Sequence, residues 1–319
     1  MIEKNCVFVI GAGASQVYRY PTGMELKERV IELLNTPAKR DSLFSDFDSQ
    51  LISAFRESLI RCGKQSVDAF LENRTDFIEI GKYAISSVLT QCEKIANLFV
   101  NENRIPGTSI VSYNIQGDWL AYLYNLMDAS FYDFHKNNVQ FITFNYDRSI
   151  ETFFFEALKN SYNKTDEEVA EILNKIKIIH VHGQLGFLNW QKREKELTRA
   201  YTSEWRNISE RKNDIKIGAS GIKIIHETNK NSSDFIEARS VLKNGGSILF
   251  LGFGYAPRNV ERLEIQTKDR VISGTVRGLS KAELQEVNTK LFQDNFIDAN
   301  STMGCLDFLR ELPRRVFRE

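Results

Sequence analysis

Four short apolar runs, each closed by a glycine or polar cluster, constrain this chain more than any other feature. Cys6-Val7-Phe8-Val9-Ile10 runs into Gly11-Ala12-Gly13-Ala14-Ser15, and residues 139–144 (VQFITF) run into Asn145-Tyr146-Asp147. Residues 176–181 (IKIIHV) lead to His182-Gly183, and residues 247–251 (SILFL) lead to Gly252-Phe253-Gly254-Tyr255. A fifth run covers 271–276. Continuous β-branched and aromatic runs without polar alternation predict strands buried on both faces, as in a parallel sheet. Helical spacing over 24–34, 151–158, 166–173, 235–242 and 281–292 places helices between or beside them. Strand and helix in alternation predict an α/β fold, a Rossmann-like, doubly wound, mainly parallel sheet.

Residues 11–138 separate the first run from the second, far more than an ordinary crossover needs. Helical patterns over 44–61, 67–100 and 119–135 fill that interval. The chain therefore reads as a single domain over 1–319 with a large helical insertion or cap at about 40–135. Between 187 and 214 it is charged and strand-poor, including QKREKELTRAYTSEWRN, and reads as a surface excursion.

Charge narrows the partners. The 42 basic and 42 acidic residues cancel, whereas a domain held to nucleic acid by bulk charge carries a basic excess, so no direct nucleic-acid binding is expected. The cysteines, at 6, 62, 92 and 305, are too scattered for a metal knuckle or a disulfide scaffold. Met1-Ile2-Glu3-Lys4-Asn5 leads directly into the first strand without a basic and apolar leader pattern, and no run approaches the ~20 apolar residues of a membrane span. The expectation is a reduced, cytoplasmic protein with no membrane contact.

In an open parallel sheet, ligands bind beyond the carboxyl ends of the strands, and all four clusters fall there. Gly11–Ser15 could cradle a pyrophosphate on backbone N–H groups beside a helix start; the plainer alternative is a glycine turn. Gln16 occupies the sixth position of the dehydrogenase fingerprint, and no acidic residue ends a second strand about 20 positions on, so hydride transfer is not indicated. Asp147 could simply cap the following helix, which leaves Asn145 free to hold a water or sugar hydroxyl in line for attack. In a strand, His180 and His182 would share one face; His180 reads as structural, and His182, at the tip before Gly183, as a general base. No third ligand accompanies them, so no metal is expected, and His135 and His226 read as background. Gly252 and Gly254 would let a second backbone segment approach the same ligand.

The order GAGAS…PTG, FNYD, HG and LGFGY resembles the NAD-binding core of the sirtuin-like superfamily, over about 5–30, 139–185 and 245–280. The resemblance implies that Gly11, Ala12, Gly13 and Ser15 bind the NAD phosphates, with Thr22 of the PTG element in the same cofactor site. It implies that Asn145 and Asp147 face the nicotinamide ribose and amide, that His182 is the catalytic base, and that Gly252 and Gly254 line the adenosine side. Two departures separate the chain from deacylase sirtuins. It has no cysteine between 92 and 305, where their zinc module lies, and Pro21-Thr22-Gly23-Met24-Glu25-Leu26 replaces their Asp-Phe-Arg element. That element and SVDAFLE at 66–72 are similar instead to bacterial anti-phage effectors whose domain hydrolyses NAD. The resemblance implies NAD as substrate, no zinc, and control by assembly, either as a homo-oligomer or with a hexameric DNA-translocating ATPase. The alternatives are a silent NAD or ADP-ribose sensing module and, less well supported, a protein deacylase.

Overall fold

A computed structural model describes residues 1–99, 102–104, 111–113, 117–191, 194, 197–224, 231–292, 296–298 and 302–318. Six strands form the main sheet: β1 (Cys6–Ile10), β2 (Val139–Thr143), β3 (Ile178–His180), β4 (Ser247–Leu251), β5 (Val271–Gly274) and β6 (Phe296–Asp298). Every neighbouring pair is parallel, in the order β3-β2-β1-β4-β5-β6. This 3-2-1-4-5-6 order is the doubly wound Rossmann arrangement, whose switch point lies between β1 and β4. In register, Ile10 stands opposite both Thr143 and Leu251, so the loops after β1, β2 and β4 leave the sheet at one level.

Both faces of the sheet are covered, which is why its strands lack polar alternation. Phe8, Ile10, Phe141, Leu249 and Leu251 join a core shared with the insertion helices and with the helix Ser149–Tyr162. Val7, Val9, Ile142, Ile248, Phe250 and Ile272 pack on the other face, against Phe235, Ala238 and Leu242 of the helix Ser233–Asn244. No helix among the described residues is long and apolar enough to cross a membrane.

The structure departs from the sequence reading at several places. The run 139–144 ends as strand at Thr143, whose Oγ1 accepts the Asn145 N–H at 3.0 Å, and 176–181 shortens to β3. The sixth strand, β6, had no sequence signal of its own. The helix expected over 44–61 begins at Ser49, because Asp48 caps it by accepting from Gln50 and Leu51 N–H at 2.8 and 3.1 Å. The stretch 67–100 divides into the helices Val67–Leu71, Ile78–Leu89 and Ile95–Leu98, with Val100 outside the described residues. It breaks at Arg74, which ion-pairs with Asp76 at 2.7 Å and sits 4.2 Å from the Phe77 ring centre. An antiparallel pair, Glu102–Arg104 with Val111–Tyr113, lies between the stretches read as helical. Residues 187–214 are also not simply a surface excursion. Leu188 and Arg199 are buried, and the helix Ile208–Gly221 packs on Ile78–Leu89, where the Ser86 hydroxyl donates to the Ile215 carbonyl at 2.8 Å. Composition assigns charge to the surface; here buried ion pairing overrides it.

Candidate active site

The turn after β1 is built on backbone. Gly11 N–H donates to Leu251 O at 3.0 Å, Gly13 N–H to Gly252 O at 2.9 Å, and Ala14 N–H to Gly11 O at 3.0 Å. The loops after β1 and β4 therefore interlock across the switch point. Gly252 makes this possible: its φ of +57° suits glycine, and an added Cβ would stand 1.9 Å from Ala14 N. These bonds consume three of the donors that a phosphate cradle would use, leaving the Ala12 N–H without a backbone acceptor among the described residues. Gly254 is different in kind, because a Cβ there would meet nothing within 4 Å.

The loop after β2 returns to this turn. Asn145 is buried, and its side-chain amide donates to Gly11 O at 3.0 Å and Ser15 Oγ at 2.9 Å. Both amide hydrogens are thereby aimed at the turn, so Oδ1 is the acceptor left to a ligand. The Ser15 hydroxyl in turn donates to Asp147 Oδ2 at 2.8 Å. Asp147 Oδ1 accepts from the Ser149 N–H at 3.2 Å and from the Ser149 hydroxyl, but Asp147 stands one residue before the N-cap, which is Arg148. Burial raises the Asp147 carboxyl above its ordinary range, against the lowering effect of those serine bonds. Ser15, Asn145 and Asp147 thus form one connected group. Thr22 stands apart. Its Oγ1 and N–H complete a capping box with Glu25 at the start of the helix Gly23–Asn35.

The two histidines diverge. The strand ends at His180, and the turn that follows, with Gly183 at φ +72°, sends His182 to the opposite face. The shared face expected of an unbroken strand is therefore not found. His180 lies on the side of the helix Ser149–Tyr162, its Nε2 2.7 Å from Glu151 Oε1 and its Nδ1 3.0 Å from Asn145 O. Burial alone would depress its pKa, but the Glu151 charge and hydrogen bond, the Asn145 carbonyl and Asp147 raise it on balance. His182 instead packs edge-on against Phe144 and Phe235, with ring centres 5.5 and 5.7 Å apart. Burial, then the Arg262 charge, lowers its pKa to about 4, with Asp234 opposing. It is a neutral imidazole at physiological pH. His135 is partly buried in the turn Phe131–Lys136, and His226 lies outside the described residues.

The insertion is fastened to these same loops. Trp119 Nε1 donates to Ala14 O at 2.8 Å, the Tyr18 hydroxyl donates to Asp118 Oδ1 at 2.9 Å, and the Tyr146 hydroxyl donates to Asp68 Oδ1. Asp68, within SVDAFLE, is held above the usual carboxylate range by burial. Below the Asn145–Asp147 loop, Glu93 receives Arg148 Nε at 2.9 Å and Nη2 at 2.7 Å, and also Arg199 Nη1, all three side chains being sealed from solvent. The sequence reading passed over Glu93, Arg199, Glu151 and Asp68. The signal available for Glu151 was a lone carboxylate between Ile150 and the Thr152-Phe153-Phe154-Phe155 run.

No protein-family model matches this chain, and no curated protein matches it. Among the described residues no group of three His, Cys, Asp or Glu side chains converges to hold an ion.

Proposed function

We propose that this chain is an NAD hydrolase that cleaves the nicotinamide–ribose bond at the switch point between β1 and β4. The observation that carries the reading is the connected group Ser15–Asn145–Asp147, on two different strand ends, at the place where an open parallel sheet takes its ligands. The chemistry asks little of the protein. The cationic nicotinamide leaves as a neutral base, and the sugar passes through an oxocarbenium-like state. Water attacks the anomeric carbon, nicotinamide departs with the bonding pair, and the water proton goes to His182, yielding ADP-ribose. Asn145, its amide hydrogens fixed on Gly11 O and Ser15 Oγ, offers Oδ1 to the attacking water or to a ribose hydroxyl, which would direct the outcome to a cyclic product. The proposal includes a role as an anti-phage effector that depletes NAD, controlled through a homo-oligomer or a hexameric ATPase partner.

Incubation with NAD and separation of the products tests this directly. Wild type is expected to release nicotinamide. Asn145→Ala and His182→Ala are each expected to lose ~10²- to 10⁴-fold in rate while retaining a cooperative thermal transition. Full activity in either variant would sink the assignment of roles.

The pH dependence has a definite sign. A base of pKa about 4, rather than the ordinary 6.5, stays unprotonated as the pH falls through that interval. The kcat/KM profile is therefore expected to keep its acid limb near 4; a limb near 6.5 would remove His182 as the base. Stability moves the other way over the same window. The unfolded chain binds the His182 proton at about 6.5 and the folded chain only at about 4, so this group's contribution is present above 6.5 and is lost as the pH falls.

A sensing module that binds NAD or ADP-ribose without turnover is the second reading. It is favoured by the glycine-turn donors and the Asn145 amide being already committed to the protein. Tight binding with no release of nicotinamide selects it.

A further inference from the structure

A dinucleotide brings two phosphate charges to the site, and the glycine turn has already committed the Gly11 and Gly13 N–H groups to Leu251 O and Gly252 O and the Ala14 N–H to Gly11 O. The charge has to be met elsewhere. Beyond Gly252 and Tyr255, at the mouth of the switch point, the chain enters the helix Pro257–Leu263, which carries Arg258 and Arg262. Side chains of a helix lean toward its N-terminus, here the end nearest the strand ends. Arg262 lies 5.8 Å from the centre of the Phe235 ring, the same ring that packs on His182, and its charge acts on that histidine.

The carboxylates around this mouth are taken. Glu72 of the SVDAFLE element pairs with Arg258, and Asp234 pairs with Lys223. Arg262 makes no ion pair among the described residues, and its Nη1 is shielded from solvent yet donates to no described acceptor. A sheltered guanidinium donor without an acceptor is unusual enough to require an explanation. Its main chain is held in place, since Arg239 Nη1 donates to Arg262 O at 3.1 Å. Among the described residues, Arg258 and Lys223 are thus neutralised and Arg262 is not.

We propose that Arg262 is the diphosphate-binding residue of this site, holding the pyrophosphate of an ADP-ribosyl ligand between the β4 loop and His182. The assignment rests on the reading of the switch point as a dinucleotide site, and it adds a residue that no strand-end motif contains. A guanidinium suits the task because its planar donors match phosphate oxygens and it stays charged when sheltered. With a diphosphate bound, the ligand's charge would also offset the field that Arg262 exerts on His182, so binding and the base would be coupled.

Calorimetric titration of the full chain with ADP-ribose and, separately, with adenosine tests the proposal without relying on turnover. Arg262→Gln is expected to weaken ADP-ribose binding ~10- to 100-fold and to leave adenosine within about twofold. Arg262→Lys, which keeps the charge but loses the planar fork, is expected to fall between wild type and Gln. Equal ADP-ribose affinity in wild type and Arg262→Gln overturns the proposal. So does an equal loss for adenosine, which would mark a packing role, and so does a wild type that fails to bind ADP-ribose. Binding that depends on Arg262 in a protein that leaves NAD intact would overturn the hydrolase reading and leave this one standing.

Discussion

Glu93→Gln is expected to destabilise the protein by about 3–5 kcal/mol, because it leaves Arg148 and Arg199 buried without their shared counter-charge. The three side chains are sealed from solvent, and the remaining carboxylate near Arg199, Asp214, stands 3.8 Å away. Carbonyl oxygens of Arg199 and Ala200 also take up Arg148 hydrogens at 3.0 Å, but they carry no full charge. Urea denaturation followed by circular dichroism gives the measurement. A triple variant, Glu93→Leu with Arg148→Met and Arg199→Met, is expected to recover much of the loss, since apolar replacement of a whole buried ion cluster is often neutral. A Glu93→Gln protein with an unchanged midpoint would show that the cluster is solvated in solution. The consequence reaches the site, because Arg148 directly follows Asp147 and anchors the loop that carries Asn145.

The second large effect separates two glycines of one motif. Gly252→Ala is expected to disrupt the switch point outright: the left-handed backbone costs roughly 1 kcal/mol in an alanine, and the new Cβ would lie 1.9 Å from Ala14 N and 2.4 Å from Gly13 C. Neither contact is with a side chain that could swing away, so the turn after β1 must move. Loss of both thermal stability and ADP-ribose binding is the expected result. Gly254→Ala, with nothing within 4 Å of its Cβ, is expected to stay within about 0.5 kcal/mol of wild type. Equal behaviour of the two variants would mean that the loops after β1 and β4 do not interlock in solution.

Much of the architecture was legible because parallel strands buried on both faces have a strong local signature, and each of the five expected runs contains a strand of the sheet. Termination was less legible. The strand containing His180 stops there because of a left-handed glycine two residues beyond the turn's first position, and periodicity carries no information about where a ladder ends. The charged stretch 187–214 misled for a related reason: Arg199 is buried only because Glu93 meets it, and the two are 106 positions apart. No local window can register such a partner.

For this protein, local chemistry along the chain was enough to determine a doubly wound parallel sheet and to place Gly11, Ser15, Asn145, Asp147 and His182 at its strand ends. Those properties follow from short-range terms, namely side-chain branching, periodic hydrophobicity and glycine's freedom. Only the tertiary structure decided what each group does there. It committed the Gly11 and Gly13 N–H groups to Leu251 and Gly252, joined Asn145 to Ser15, parted His180 from His182, and left Arg262 without an ion pair among the described residues. Hydrogen bonds and charges are satisfied by whatever the fold brings near, and that accounting closes only in three dimensions.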